Sequence, residues 1–180
     1  MSQPNHWHKK STNKELSMSN RPNLKQIGII DVTFGENVTV IEPANLYGCE
    51  LCDNTFIGPF VEVQHNAKVG ARTRVQSHSF ICELVNIGED CFIGHGVMFI
   101  NDSFSSGGPA YDRPEDWLPT DIGNHVTIGS NATILPVKIC DHAVIGAGAV
   151  VTRDISIAGY YTGAPARMVR PLEDVQNIVR

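Results

Sequence analysis

Residues 51–101 read LCDNTFIGPFVEVQHNAKVGARTRVQSHSFICELVNIGEDCFIGHGVMFIN, and a bulky apolar side chain recurs at every sixth position. These anchor residues are Leu51, Ile57, Val63, Val69, Val75, Ile81, Ile87, Ile93 and Phe99. A period of six fits neither a lone helix nor a simple strand. It is typical of a hexapeptide solenoid, in which each hexad forms one flat side of a coil.

The positions between the anchors support the same interpretation. Small or β-branched residues stand four after each anchor: Thr55, Val61, Ala67, Thr73, Ser79, Val85, Cys91 and Val97. Glycine often follows the anchor directly, as at Gly58, Gly70, Gly88 and Gly94. We expect the anchors to fill a narrow core and the glycines to ease the corners. Three sides would close a triangular coil of about eighteen residues.

A second block of repeats follows an interruption. Its anchors are Ile122, Ile128, Ile134, Ile139, Ile145 and Val151. The step from Ile134 to Ile139 is one residue short, which predicts a tightened corner at Pro136. Upstream, residues 24–50 keep the register only raggedly, with Asn45 where an apolar anchor is expected, and we interpret them as an opening cap and first coil.

The remaining segments have other compositions. Residues 1–20 are polar and aperiodic and predict a flexible arm. The β-helix domain is expected over 21–170. Residues 103–120, SFSSGGPAYDRPEDWLPT, predict a long loop that leaves the solenoid, and long ordered loops are usually functional. Pro171 is expected to begin a short helix over 171–180 that caps the prism.

Composition restricts the function. The 180 residues carry a formal net charge of −5, which disfavours non-specific nucleic-acid binding. No apolar run reaches the length of a membrane span, and no apolar signal core begins the chain, so we expect a cytoplasmic protein without a membrane partner. The five cysteines fall on small-residue positions of the repeat and complete no zinc set, so we expect buried thiols and no metal.

Stacked coils turn sequence spacing into columns. His65, Glu83 and Asn101 are eighteen residues apart in turn, so we expect them to stack about 4.8 Å apart beside the long loop. Such a ladder can bind a polar substrate. Outward positions of any solenoid are polar, however, so a plain surface ladder is the alternative. His95 is expected above Ser77.

The second block contains its own pair of candidate histidines. His125 and His142, seventeen apart, can stack in the same way. A metal pair is conceivable, and two exposed turn histidines are the simpler interpretation.

With the hexads in place, residues 24–170 resemble the left-handed β-helix hexapeptide-repeat acyltransferases. The resemblance is carried by two blocks split by a loop, by IGNHVTIG at 122–129, by IGAGAVV at 145–151 and by GAPAR at 163–167. It implies an all-β, left-handed parallel β-helix, a triangular prism with an extruded loop and a short C-terminal helix. It also implies acetyl-CoA bound in a groove between the subunits of a homotrimer.

Within that family, residues 82–85 and 95–102 resemble N-acetyltransferases of nucleotide-linked amino sugars, such as the enzymes for dTDP-3-amino-3,6-dideoxyhexoses used in cell-surface glycans. A sister group acts on a UDP-linked 3-amino-glucuronate. The resemblance places Asn101 in the active site. The related O-acetyltransferases carry a catalytic histidine in or near the loop, and residues 103–120 contain none. An amine needs only to be neutral to attack, whereas a hydroxyl needs a base.

The candidate site residues follow. Asn101 would orient the reacting groups, and His95 is the candidate base. The candidate substrate-binding residues are Glu83, His65, Asp102, Arg113 and Trp117. The family layout implies the CoA-binding residues Ser130, Lys138, Ala147, Arg153, Gly163 and Arg167.

Three other functions stay open at this point. An O-acetyltransferase acting on a sugar or another small hydroxyl is the first alternative. A γ-type carbonic anhydrase needs three zinc-binding histidines, two of them close in sequence, and no two from His65 onward are close enough. A non-catalytic scaffold would not need the GAPAR segment or the long loop.

Overall fold

The apolar anchors lie inside a solenoid of short strands. The computed structural model describes residue 24, residues 27–111 and residues 113–172, so the arm predicted for 1–20 lies outside the described residues. Nearly every strand pairs in parallel with the strand one coil away. Three sheets result, and they form the three sides of a prism. The prediction of a hexapeptide-repeat β-helix is confirmed.

The sheets are named A, B and C after the order in which the chain visits them. Sheet A contains β1 (Ile29–Ile30), β4 (Asn45–Tyr47), β7 (Glu62–Val63), β10 (Phe80–Ile81), β13 (Met98–Phe99), β16 (Thr133–Ile134) and β19 (Val150–Val151). Sheet B contains β2 (Thr33–Phe34), β5 (Glu50–Leu51), β8 (Lys68–Val69), β11 (Val85–Ile87), β14 (Thr120–Ile122) and β17 (Lys138–Ile139). Sheet C contains β3 (Thr39–Val40), β6 (Phe56–Ile57), β9 (Arg74–Val75), β12 (Phe92–Ile93), β15 (Thr127–Ile128), β18 (Val144–Ile145), β20 (Gly159–Thr162) and the antiparallel β21 (Arg167–Pro171).

The core is a single column of anchors inside the prism. Every anchor from Leu51 to Phe99 is buried, and so are the small residues between them. The buried hydroxyls among these are satisfied by backbone: Thr73 donates to the carbonyl oxygen of Gly88 at 2.8 Å, and Ser79 donates to that of Gly94 at 2.8 Å. A polar residue therefore fits the core without an unpaired group.

Vertical spacing follows the predicted count. Glu62 pairs with Phe80 and Phe80 with Met98, eighteen residues at each step. In the second block Thr133 pairs with Val150, seventeen residues on, which confirms the tightened corner near Pro136. The loop lies between these blocks, and Met98 pairs across it with Thr133.

The first coil corrects one detail of the sequence interpretation. Leu46 is fully buried and serves as the anchor that was expected at Asn45, whose side chain is only half-buried. The corner at Gly48, with φ +59°, is tightened, so the next anchor, Leu51, follows after five residues. This shortened step explains the ragged register of residues 24–50.

Glycine occupies the positions after the anchors for a different reason from the one expected. Gly58, Gly70, Gly88 and Gly94 do not adopt positive φ. A Cβ on Gly70 would instead overlap the carbonyl group of Gly88 in the next coil. These positions therefore exclude a side chain because stacked backbones approach closely there.

Left-handed backbone occurs two residues further along, at the corners themselves. The fourteen non-glycine residues with positive φ in the described part of the chain are Asp31, Asn37, Asn54, Phe60, Asn66, Arg72, His78, Leu84, Asp90, Phe104, Tyr111, His125, Asn131 and His142. Asn, Asp and His tolerate this conformation best among residues with a side chain. The backbone conformation therefore explains most of the residue types found at the corners.

The C-terminal end differs from the expectation of a helix beginning at Pro171. Arg167–Pro171 is β21, which folds back antiparallel along β20. The guanidinium of Arg170 lies 3.9 Å from the centre of the Tyr160 ring. Residues 173–180, the rest of the predicted helix, lie outside the described part.

The outward surfaces of the sheets differ in chemistry. Sheet B is charged, with Lys68 Nζ 2.8 Å from Glu50 Oε1 and Lys138 Nζ 3.7 Å from Asp121 Oδ2. Sheets A and C carry apolar side chains outward, among them Met98 and Phe92, which are 39% and 41% exposed. The contrast marks sheet B as the side best suited to water.

Replacing Gly70 by alanine tests the close stacking of the coils. Because the new Cβ would meet backbone of the next coil, we expect Gly70→Ala to lower the free energy of unfolding by about 1–3 kcal/mol, as overpacking usually does. Urea denaturation measures the change. Gly108→Ala is the control, since a methyl group at Gly108 would have no atom within 4 Å. Equal stability of the two variants would contradict the stacking explanation.

Candidate functional site

The corners between the sheets form three edges of the prism. Edge AB contains the residues that follow the strands of sheet A, edge BC those that follow sheet B, and edge CA those that follow sheet C. The long loop leaves from edge AB, between Phe99 and Thr120. Each candidate residue can therefore be assigned to one edge or to one sheet.

Edge AB brings together His65, Glu83 and Asn101, as the spacing of eighteen predicted. His65 Nδ1 lies 3.5 Å from Glu83 Oε1. Asn66 Nδ2 donates to the same carboxylate oxygen at 3.0 Å. Asn101 Nδ2 donates to the backbone carbonyl oxygen of Glu83 at 3.2 Å. The Glu83 side chain is only 22% exposed and is held from two sides, whereas His65 is open to solvent.

A groove of about 610 Å³ continues edge AB toward the first coil. His65 lines it together with Asp31, Tyr47 and Gly48, on the opposite side from Asn101. Burial and the neighbouring Glu62 carboxylate raise the pKa of Tyr47, which keeps its hydroxyl protonated as a donor. The sequence interpretation missed Asp31 and Tyr47, because the irregular register of the first coil hid their place in the column.

The loop is folded onto its own first residues. Asp102 accepts hydrogen bonds from the backbone N–H groups of Phe104 at 2.8 Å and Ala110 at 2.7 Å, so both carboxylate oxygens are engaged. Ala110 is buried, and the backbone N–H of Leu118 returns to the carbonyl oxygen of Asn101 at 2.8 Å. Asp102, a predicted substrate contact, thus shapes the loop beside Asn101.

The other two loop candidates lie further out. Arg113 Nε donates to Asp116 Oδ2 at 2.7 Å, and Arg113 Nη2 to Ser106 Oγ at 3.1 Å. Trp117 is half-buried and follows a 3₁₀ turn at Pro114–Asp116. Their predicted contacts with a nucleotide stay predictions.

Edge CA carries the candidate base, His95. His95 Nδ1 lies 2.9 Å from Ser77 Oγ, as the stacking predicted. Ser130 and Ala147 continue the same edge. Because sheet A separates edges CA and AB, one chain alone does not place His95 next to Asn101. The two predicted catalytic residues therefore belong to different edges.

The C-terminal end holds the exposed arginines among the predicted CoA contacts. Arg153 and Arg167 line a cleft of about 200 Å³, and neither forms an ion pair with any residue that the structure describes. Gly163 lies at the end of β20, with φ +95°. Arg167 Nη1 donates to the Ala166 carbonyl oxygen at 2.8 Å, and the remaining N–H donors of the two guanidiniums suit a phosphate. Lys138 lies apart on sheet B, beside Asp121.

Edge BC contains a chain of charges. Arg72 Nε and Nη2 donate to Asp90 at 2.8 Å each, and His125 and His142 stack with ring centres 4.8 Å apart. The stacking of the two histidines is confirmed. Among residues 27–111 and 113–172, no group of three or more His, Cys, Asp or Glu side chains could hold a metal ion.

The cysteines are placed as structural residues. Cys49, Cys82 and Cys91 are buried, and all five thiols are free. Burial raises the pKa of Cys49 to about 11 and that of Cys82 to about 12.

In the described part of the chain, no helix is both long enough and apolar enough to traverse a bilayer.

Both repeat blocks match known families. Residues 48–83 match the bacterial transferase hexapeptide family, six repeats, and residues 119–153 match the hexapeptide repeat of succinyl-transferase. The bifunctional protein GlmU of Pediococcus pentosaceus is 33% identical over 146 residues, which cover 71% of this chain and 29% of that protein. GlmU of Dichelobacter nodosus is 39% identical over 107 residues, covering 59% and 20%. The chain thus spans less than a third of these curated relatives.

Three solved structures share the fold. The N-acyltransferase AntD of Bacillus cereus, solved with dTDP and coenzyme A, superposes with a TM-score of 0.68 at 20% identity, covering 81% of this chain and 86% of that chain. The perosamine N-acetyltransferase of Caulobacter crescentus, solved with CoA and GDP-perosamine, gives 0.62 at 17% identity and covers 78% and 58%. The acetyltransferase VCA0836 of Vibrio cholerae, solved with acetyl coenzyme A, gives 0.58 at 24% identity and covers 71% and 72%.

Removing the Asp102 carboxylate tests its role in folding the loop. Asp102→Ala loses two charge-assisted hydrogen bonds, each worth about 1.5–3 kcal/mol. The loop should therefore open more often, and we expect chymotrypsin to cleave it at the exposed Phe104 and Tyr111 at least about tenfold faster than in the parent. Limited proteolysis followed by mass spectrometry gives the rates. Glu115→Ala, which removes an exposed carboxylate of the same loop, should cleave like the parent. Unchanged cleavage of Asp102→Ala would contradict the role.

Alkylation at pH 8 tests the burial of the thiols. The thiolate is the form of cysteine that reacts with an alkylating reagent. Because the pKa of Cys82 is raised from 9.0 to about 12, its thiolate fraction at pH 8 should be about a thousandfold smaller than that of an ordinary cysteine. We expect Cys49 and Cys82 to stay unlabelled in the folded protein and to react at once in urea, as read by peptide mass mapping. Rapid labelling of Cys82 in the folded protein would contradict its placement.

Proposed function

We propose that this chain, a member of the hexapeptide-repeat proteins by both of its blocks, is an acetyl-CoA-dependent N-acetyltransferase for a nucleotide-linked amino sugar. A dTDP-linked 3-amino-3,6-dideoxyhexose of cell-surface glycan synthesis is the best candidate acceptor. The observation that carries the proposal is the cluster of His65, Glu83 and Asn101, which meets a groove on one side and the long loop on the other.

The comparisons support the proposal at the level of chemistry. AntD and the perosamine enzyme share the fold and were solved with coenzyme A and a nucleotide or a nucleotide-linked amino sugar. Two GlmU proteins share sequence with this chain. The amino sugar and its nucleotide are therefore our proposal from the residues of edge AB and the loop.

Acetyl-CoA fits the residues available for the donor. When bound, it supplies the activated thioester. Arg153 and Arg167, exposed and without ion pairs in the described residues, would hold phosphates at the C-terminal cleft, and Gly163, which follows β20, would contact the donor as the family layout implies. Backbone groups near Ser130 and Ala147 would hold the pantetheine along edge CA, and Lys138 is the most remote phosphate candidate.

We propose that a second copy of the chain completes the site, because Ser130 and Ala147 lie on a different edge from Asn101. The donor residues of edge CA and the acceptor residues of edge AB lie at opposite ends of sheet A. A homotrimer that brings edge CA of one subunit to edge AB of the next would join them, and the outward Met98 and Phe80 of sheet A offer apolar surface for the contact.

Asn101 is the residue proposed to orient the acceptor. Its amide nitrogen is committed to the Glu83 carbonyl oxygen, and its amide oxygen accepts no hydrogen bond from the described residues. That oxygen can accept an N–H of the acceptor amine and aim the nitrogen lone pair at the thioester carbon. Such alignment lowers the barrier by removing rotational freedom before the reaction.

Thiol release against a panel of acceptors tests the function. The panel contains dTDP-3-amino and dTDP-4-amino dideoxyhexoses, a UDP-3-amino sugar and a plain galactoside, each with acetyl-CoA. We expect release with one amino-sugar nucleotide alone. Release with the galactoside alone would establish the O-acetyltransferase alternative, and no release at all would contradict the acceptor proposed.

Replacing Asn101 tests its orienting role. Asn101→Ala should lower kcat by about 10²-fold with a smaller effect on KM, because the lost contact aligns the reacting groups. Asn86→Ala is the matched control, since Asn86 lies exposed on sheet B, away from both edges. A kcat equal to that of the parent would remove Asn101 from the mechanism.

A further inference from the structure

We propose that Phe60, held by His78, is a stacking platform for the base of the acceptor's nucleotide, beside a small apolar cavity on edge CA. The inference rests on the proposed function, because it names where one part of a nucleotide-linked amino sugar binds. It gives a role to the N-terminal part of edge CA, where none of the candidate residues for the donor or the acceptor lies.

Phe60 is an exception among the corner residues of the solenoid. It adopts φ +60° and is 58% exposed, although bulky residues rarely take the left-handed conformation. Two other exceptions have a structural explanation: Leu84 is half-buried, and Arg72 donates to Asp90 at 2.8 Å. Strained residues of this kind cluster at ligand sites. The fold alone therefore does not account for the phenyl ring of Phe60.

His78 holds the phenyl ring from the next coil. The two ring centres lie 4.9 Å apart and the ring planes meet at 29°, which is a stacked arrangement. On the other side, the backbone N–H of Phe60 donates to the Pro43 carbonyl oxygen of the preceding coil at 2.6 Å. One face of the phenyl ring is thus covered by the imidazole, and the ring has a defined orientation before any ligand binds.

A cavity of about 300 Å³ adjoins Phe60. Pro43 and Ala44 of the preceding coil line it together with Ile27, and His78 is not among the described residues that line it. The cavity therefore lies on the side of the phenyl ring that faces away from His78. Its volume is at the lower end of the range for ligand pockets. A flat ring that enters it can stack on Phe60.

Asn45 and Glu62 form the polar wall of this cavity. Asn45 Nδ2 donates to Glu62 Oε2 at 3.1 Å, and Gln64 Nε2 donates to Glu62 Oε1 at 2.9 Å. Because each carboxylate oxygen has a further lone pair, Glu62 can accept another N–H. Among the described residues that line the cavity there is no Lys or Arg. An uncharged ring with an N–H on its edge, such as thymine or uracil, therefore fits better than a phosphate.

The position of Phe60 along edge CA suits the acceptor and not the donor. His78 and Gly96 follow it one and two coils later, so Phe60 lies about 10 Å below Gly96. The proposed donor residues Ser130 and Ala147 lie beyond Gly96 on the same edge. A ribose and a diphosphate separate the base of a nucleotide-linked sugar from its sugar. The base can therefore lie at Phe60 while the sugar lies nearer the donor, where the second copy proposed above would present its edge AB.

Phe60→Asn distinguishes a ligand platform from a structural residue. By titration calorimetry on the full-length protein, we expect its Kd for dTDP or UDP to rise at least about fivefold, because the base loses its stacking partner. Asparagine tolerates the left-handed corner, so the urea midpoint should not fall. A lower midpoint with an unchanged Kd would overturn the proposal, and so would a parent protein that binds neither nucleotide.

Two further variants provide a rescue and a matched control. Phe60→Tyr keeps an aromatic ring at the corner, and its Kd for dTDP or UDP should stay within about twofold of the parent value. His125→Asn removes an exposed, stacked ring from a left-handed corner of edge BC, and it should bind the nucleotide like the parent. A loss of affinity in Phe60→Tyr or His125→Asn as large as that in Phe60→Asn would overturn the assignment.

Sedimentation tests whether Phe60 instead joins two copies of the chain. Edge CA is also the edge proposed to meet a second copy, so an exposed phenyl ring there could serve that contact. We expect the parent and Phe60→Asn to sediment with the same mass at the protein concentration used for calorimetry. A smaller mass for Phe60→Asn would overturn the proposal, because Phe60 would then be a contact between copies.

Acetyl transfer separates a failure of this site from a failure of the proposed function. With the acceptor that releases thiol in the panel, Phe60→Asn should raise KM at least about fivefold and change kcat less than about twofold, because the base lies far from the reacting atoms. An unchanged KM would overturn the platform and leave the function intact. Nucleotide binding that depends on Phe60, without thiol release from any acceptor, would retain the platform and contradict the proposed acetyl transfer.

Discussion

The backbone hydrogen bonds between successive coils are the constraint on which the rest of the structure depends. Each coil donates to and accepts from its neighbours along all three sheets, for example from the Gly58 N–H to the Val75 carbonyl oxygen at 2.8 Å. To keep this ladder continuous, the coils must approach so closely that positions such as Gly70 exclude any side chain. They must also turn sharply, which places Asn, Asp and His at the corners.

The same stacking makes a polar cluster without any specialised element. Residues one coil apart in sequence become neighbours in space, so Glu83 meets His65 from below and Asn101 from above. A strand of two residues is too short to carry such a cluster alone, and the edge assembles it from several coils. The loop then closes over the last coil of the first block through Asp102 and Leu118.

Sequence reasoning succeeded where the period is intact and lost precision where it is not. The anchors, the buried small residues and the column of His65, Glu83 and Asn101 all follow from counting, because equal spacing imposes equal positions. The groove was missed because the corner at Gly48 is one residue short and displaces Leu46. The role of Asp102 and the strand at Arg167–Pro171 were missed because neither segment carries the hexad pattern.

Counting also could not rank the histidines. Spacing places a side chain in a column, but only the backbone φ and the partner atom show whether it occupies a left-handed corner or lies beside a carboxylate. His125 and His142 stack as the spacing required, and the backbone alone explains them. His65 differs through one carboxylate oxygen on the adjacent coil.

The length of the loop has a consequence for how such a protein can change. Met98 and Thr133, Phe92 and Thr127, and Asn86 and Asp121 are each neighbours although 35 residues separate the members of every pair. The loop therefore adds about as many residues as one coil contains, and the strands above and below it keep their register. The loop can therefore differ in length or sequence without a change in how the coils above and below it pair.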